Sequence, residues 1–100
     1  MMIPLESLDH DTFFPLIGHT FASGSAEGRV ELVLSAVKKL GHRRADAARD
    51  PFSLVFRGQQ GLRVEQGTYL LACEGLGEIG SFITQVADGA NCSEFEAVFT

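Results

Sequence analysis

The stretch Gln66-Gly67-Thr68-Tyr69-Leu70-Leu71-Ala72-Cys73-Glu74-Gly75-Leu76-Gly77-Glu78-Ile79-Gly80-Ser81-Phe82-Ile83-Thr84-Gln85-Val86 holds two apolar, β-prone runs around a glycine-rich centre. Runs of that composition, separated by glycine, read as the two arms of a β-hairpin. The same stretch contains Gly75-Leu76-Gly77-Glu78-Ile79-Gly80, which matches the G-x-G-x-x-G spacing of dinucleotide-binding turns. That motif works where its glycines lead into a helix whose N-terminus receives the pyrophosphate. Here the following residues, Ser81 to Val86, are rich in β-branched and aromatic types. The twenty residues after Gly80 are also too few for a crossover helix, a second strand and a ribose-binding site. Gly75, Gly77 and Gly80 are therefore read as a hairpin turn that uses glycine for positive φ, and no cofactor is expected.

Working outward, Ala87-Asp88-Gly89-Ala90-Asn91 reads as a further turn, and Ser93 to Thr100 as a last strand with Phe95, Ala97 and Phe99 alternating against Glu94, Glu96 and Val98. Upstream, Pro51-Phe52-Ser53-Leu54-Val55-Phe56-Arg57-Gly58 places Phe52, Leu54 and Phe56 on one face. Leu62 to Glu65 is ambiguous. Arg29 to Leu40 is the longest strand candidate, with Val30, Leu32, Leu34 and Ala36 on one face and Arg29, Glu31 and Ser35 on the other. Val37 and Lys38 break the alternation, and a β-bulge near Ala36 would return Val37 and Leu40 to the interior. A helix over residues 26–40 competes, but Val30, Val33 and Val37 are weak helix formers and the period of two fits better. His19 to Ala22 reads as a first short strand, followed by a flexible turn from Ser23 to Gly28. Asp9 is placed to cap a helical turn over about residues 8–17, with Leu8 and Phe13 as a hydrophobic staple and Pro15 limiting its length. Phe13, Phe14, Leu16 and Ile17 would close one end of a β-core.

The expected fold is mainly β: a small antiparallel barrel or two-layer sandwich of five to six strands with a short N-terminal helix. It forms a single β-rich domain over residues 1–100, with strands at about 29–40, 52–58, 68–74, 78–86 and 93–99. Eight Phe, one Tyr and no Trp suggest a core built on phenylalanine.

Charge is unevenly spread. Residues 29–63 carry all eight Lys and Arg against three acids, whereas residues 64–100 carry six acids and no base. Such a chain could pair subunits head to tail, or could attract its own strands across a sheet. Lys38, Lys39, Arg43 and Arg44 form a small basic cluster and are the candidate interaction surface. The cluster is short, lacks aromatics to stack bases and sits in an acidic chain, so nucleic acid is not an expected partner. The first twenty residues contain no Lys or Arg, and no apolar run approaches a membrane span of about eighteen residues. The expectation is a protein of the cytoplasm, or part of a particle assembled there, with no membrane partner. Cys73 and Cys92 do not make a disulfide framework; Cys73 reads as a core thiol and Cys92 as a loop thiol.

No metal-ligand spacing appears, since His10, His19 and His42 are isolated from one another and from both cysteines. In Asp9-His10-Asp11 the N-cap reading is preferred to a paired histidine, because adjacent residues on a turn point in different directions. No Gly-x-Ser-x-Gly elbow supports a hydrolase. Tyr69, the one tyrosine, faces the core as a strand residue and anchors a hydrogen bond. No catalytic or metal-binding residues are assigned, and the chain is read as not an enzyme.

Phe13-x-Pro15-x-Ile17-Gly18-x-x-Phe21, Pro51-Phe52-Ser53-Leu54-Val55-Phe56-Arg57-Gly58, Gln66-Gly67-Thr68-Tyr69, Leu76-Gly77-Glu78 and Glu96-Ala97-Val98-Phe99 together resemble a family of short bacterial proteins of unknown function. By that resemblance, the chain is similar to proteins that can be encoded beside phage-tail-collar-type proteins. The shared motifs span nearly the whole chain and are strand and turn motifs, so the resemblance implies a fold and brings no catalytic residues. The Ala- and Arg-rich connection at residues 41–50 is longer than the resemblance implies, so any surface there would be this chain's own. The function expected is a non-enzymatic structural or protein-interaction module, an accessory of a phage-tail-like assembly, with a protein partner or self-association. The alternatives are a small β-barrel binding an apolar ligand and, last, an enzyme. A small-molecule ligand is disfavoured because a barrel of five or six strands is filled by its own side chains.

Overall fold

The computed structural model describes residues 8–25, 28–41, 50–88 and 92–99. Alternating sequences form the strands β1 (Thr20–Ser25), β2 (Gly28–Lys39), β3 (Phe52–Gly58), β4 (Gly67–Cys73), β5 (Gly77–Asp88) and β6 (Ser93–Phe99). They close into an antiparallel barrel in the order β1-β2-β3-β6-β5-β4. Among the described residues the sheet closes through the Ala22–Ala72 pair of β1 and β4, so each strand has a neighbour on both sides.

Alternation sends Leu32, Leu34, Phe52, Leu54, Phe56, Leu71, Ile79, Ile83, Phe95 and Phe99 inward, where all are buried. Large and small side chains face each other across the β3–β6 ladder: Leu54 pairs with Ala97. Phe52 and Phe99 are also register partners, and their rings stack 4.8 Å apart. Phe21 meets Phe56 edge-on at 5.3 Å. Six of the eight phenylalanines are buried, and Phe14 and Phe82 are not. Burying each ring contributes about 1.5–3 kcal/mol, so the phenylalanine core is the main cohesive element.

One end of the barrel is plugged by the helix α1 (His10–Phe13), which continues into a 3₁₀ turn at Phe14–Leu16. Asp9 caps it: the Thr12 N–H donates to Asp9 Oδ1 at 2.9 Å, and the Asp9 N–H donates to Thr12 Oγ1 at 3.3 Å. Leu8 and Phe13 are both buried, as a hydrophobic staple requires. Leu16 packs against the core, but Phe14 and Ile17 point outward, contrary to the expectation that all four apolar residues close the barrel. A single turn with a 3₁₀ continuation has room to bury only one side.

The hydrogen bonds from Thr12, first its side chain and then its backbone N–H, hold the Asp9 carboxyl below its ordinary value of 3.8. A depressed carboxylate contributes stability that is present above its unfolded value and lost as pH falls through its folded one. Asp9→Ala is therefore expected to lower stability by about 1 kcal/mol at neutral pH. The gap to the unsubstituted protein should narrow once pH drops below 3.8. Urea melts of both proteins at pH 7 and pH 3 check this, and a gap that widens in acid would contradict the cap.

The opposite end is closed by the crossover from β3 to β4. Gln85 reaches 23 residues back to donate to the Leu62 carbonyl at 3.1 Å, and its amide oxygen accepts from the Val64 N–H at 3.2 Å. Ser93 Oγ donates to the same Leu62 carbonyl at 2.8 Å. The ambiguous stretch from Leu62 to Glu65 is thus irregular but pinned. The Tyr69 hydroxyl donates to the Glu65 carbonyl, as an inward-facing anchor should.

Other expectations need correction. Ser23 to Ser25 belong to β1 and Gly28 to β2, so the strands run further into the expected turn; Ala26 and Glu27 lie outside the described residues. The bulge expected near Ala36 is present, since the β2–β3 register shifts between Leu34 and Ala36 around Ser35, whose hydroxyl donates to the Val55 carbonyl at 3.0 Å. Val37 returns toward the core, but Leu40 lies beyond the strand and is exposed. Gly80 is no turn residue: it pairs with Leu70 inside the β4–β5 ladder, because buried Ile79 already anchors β5. The turn is confined to Glu74–Leu76, where Gly75 takes φ 90°, and Gly77 follows at φ 113°.

Candidate interaction surface

The strand order converts the charge pattern of the sequence into a spatial one. β1, β2 and β3 are contiguous in the barrel, and so are β6, β5 and β4. Among the described side chains, the first group carries Lys38, Lys39 and Arg57 against Glu31, and the second carries Glu78, Glu94 and Glu96 with no base. One half of the wall is basic and the other acidic. At the β3–β6 seam the register partners Arg57 and Glu94 approach to 4.0 Å, both substantially solvated. An exposed pair at that distance contributes little.

Lys38 and Lys39 are exposed at the end of β2; Arg43, Arg44 and His42 lie outside the described residues. The candidate basic cluster is therefore placed only at its first two members. His10 Nδ1 does meet Asp11 Oδ1, at 3.1 Å, contrary to the expectation that these neighbours point apart. The pair sits on the exposed helical turn, where His10 also stacks on Phe14 at 5.5 Å. His19 Nδ1 lies 3.1 Å from the Leu16 carbonyl. Among the described residues, no three His, Cys, Asp or Glu side chains are grouped to hold a metal ion. No helix among them is long and apolar enough to cross a membrane.

Both cysteines are free thiols, Cys73 buried and Cys92 half-buried. Burial, and then the neighbouring Glu74 charge, push the Cys73 thiol above its ordinary value. Because the thiolate is the reacting form, Cys73 should resist alkylation in the folded protein. A native thiol titration should show Cys92 reacting at least roughly tenfold faster than Cys73. Equal rates would mean that the β4 end opens readily.

Two surface features stand out beside the charges. The first is a groove of about 550 Å³ on the basic half. Its lining includes Ile17, Gly18, Glu31, Val33, Arg57 and Gln59. The bulge at Ser35 lies on its lining, and the Gly18 N–H donates to the Leu34 carbonyl at 2.7 Å, joining two of its lining residues. The second is an apolar row on the acidic half. Phe82 on β5 is 52% exposed, and Leu70 on β4, the register partner of nearby Gly80, is exposed as is Val98 on β6. Neither feature was assigned from the sequence. A smaller acidic hollow of about 440 Å³ has Glu31, Glu74 and Glu78 around Ala22 and Ala72.

Residues 8–99 match the family described as a domain of unknown function, DUF6916. The chain belongs to the DUF6916 family. The match spans the helical plug and all six strands, so the whole DUF6916 barrel is one family unit. No curated protein and no solved structure matches the chain. The family description assigns no activity, and any functional reading of this DUF6916 barrel starts from its walls.

Proposed function

We propose that this DUF6916 barrel is a non-enzymatic structural module that works by associating with further copies of itself, as an accessory of a particle such as a phage-tail-like assembly put together in the bacterial cytoplasm. One observation carries the reading: among the described residues, Lys38, Lys39 and Arg57 lie on adjacent strands β2 and β3, and Glu78, Glu94 and Glu96 on adjacent strands β5 and β6. Opposite charge on opposite sides favours head-to-tail contact and steers it at low salt. The packed interior weighs in the same direction, since the inward positions are occupied by the protein's own phenylalanine, leucine and isoleucine side chains, which favours a role for the outer surface over an apolar ligand within.

The test is molar mass in solution, by light scattering, over a wide range of protein concentration and at low and high salt. The expected result is a mass that rises with concentration and falls with added salt. A single-chain mass under every condition would overturn self-association.

A further inference from the structure

We propose that Phe82 of one copy docks into the groove over Val33 of the next, so that the barrels join head to tail. The inference rests on the self-association reading and specifies its contact.

Position is the first argument. In the closed order, β2 and β5 are three strands apart in either direction. The groove on β2 and the ring on β5 therefore lie on opposite sides of the barrel and cannot meet within one molecule. A contact between two different patches is heterologous, and it propagates to a ring or a filament.

Chemistry is the second. Phe82 is one of two phenylalanines left outside the core, and Gly80, two residues before it, offers no side chain to cover the ring. The groove is lined by apolar Val33 and Ile17, each 40% exposed. At about 550 Å³ it has room for an aromatic ring together with an aliphatic side chain such as Leu70, whose register partner Gly80 lies two residues from Phe82. A buried aromatic anchor in such a pocket is what dominates the energy of an interface.

Charge is the third. Arg57 stands on one side of the groove, largely solvated, with Lys38 further along β2. Glu96, opposite Thr84, stands close to Phe82 on the acidic half. Glu31 lines the groove as well, and so orients the incoming copy with its carboxylates toward Arg57 rather than toward β1. The partner that fits is thus a second copy of this chain, which presents an exposed aromatic within an acidic surface.

The experiment uses the full chain and three substitutions at outward positions: Phe82→Thr, Val33→Glu and Ile17→Glu. Ile17 precedes the first strand, so its variant keeps the groove testable should Val33→Glu fail to fold; circular dichroism melts identify folded variants. Each folded variant should associate at least roughly tenfold more weakly than the unsubstituted protein, as loss of an interface anchor implies. The decisive sample is an equimolar mixture of Phe82→Thr with a folded groove variant. The first keeps an intact groove and the second an intact Phe82, so the mixture should form a dimer of two chains and stop there. If the unsubstituted protein associates while groove variants associate equally well, the docking is wrong and self-association stands. If single variants are monomeric but the mixture stays monomeric, the contact is not head to tail through these two patches. If the unsubstituted protein is monomeric throughout, self-association and the docking fail together.

Discussion

Phe13→Ala is expected to destabilise the barrel more than any other single truncation near its N-terminus, by about 3–5 kcal/mol. The ring of Phe13 is fully buried and lies 5.8 Å from both Phe52 and Phe99 and 6.4 Å from Phe21. It is the contact through which α1 closes the barrel. A helix of four residues has no stability of its own, so it persists only through packing and its cap. Removing the ring exposes the stacked Phe52–Phe99 pair and releases the plug together. Against a total stability of about 5–15 kcal/mol, that is a large fraction. The melting temperature should fall by roughly 20 °C in a domain of this size. The neighbouring Phe14 supplies the control, because its ring is 57% exposed. Phe14→Ala should change stability by less than about 1 kcal/mol. Equal losses at the two positions in urea or thermal melts would mean that α1 does not plug the barrel.

That contrast between adjacent phenylalanines marks where the sequence is legible and where it is not. Strands β3 and β6 were readable because Phe52, Leu54 and Phe56, and Phe95, Ala97 and Phe99, alternate with polar or smaller residues, which fixes their phase. The Asp9 cap was readable because its partners lie within three residues. In Tyr69-Leu70-Leu71-Ala72-Cys73 every position is apolar, so alternation carries no phase, and outward Leu70 looks like inward Leu71. The same ambiguity hid Phe82 beside Ile83, and with it one half of the candidate surface. The groove over Val33 brings together Gly18 and Leu34, bonded though sixteen residues apart in sequence, a meeting that no local pattern encodes. Strand order was hidden for a related reason. β3 pairs with β6 rather than β4, and the crossover is held by Gln85 and Ser93, 23 and 31 residues from Leu62. Charge blocks survive that rearrangement because β1–β3 and β6–β4 remain contiguous, so the basic and acidic halves could be read as blocks before their places on the wall were known.

The end of the barrel opposite Phe13 should be governed by a residue with no side chain. Gly58 closes β3 at the point where the crossover folds back over the core. A Cβ there would stand 2.7 Å from Leu62 Cδ2, 2.9 Å from Phe95 Cε1 and 3.2 Å from Leu32 Cδ2. The backbone conformation is not the obstacle; the space is. Leu62 ends in a flexible methyl on an irregular segment and can shift. Phe95 cannot, because its ring is fully buried on β6 and its backbone is tied into the ladders with β3 and β5. Gly58→Ala is therefore expected to cost about 1–3 kcal/mol through overpacking, although alanine suits a strand better than glycine in isolation. Leu62→Ala alone should also destabilise, by removing a side chain that packs over the core. The double variant gives the sharper test. Truncating Leu62 removes the nearest of the three clashes, so the two losses should fall short of additive by at least about 0.5 kcal/mol. Strict additivity in urea melts of the four proteins would place the Gly58 penalty at Phe95 or in the strand itself, and not in its approach to Leu62.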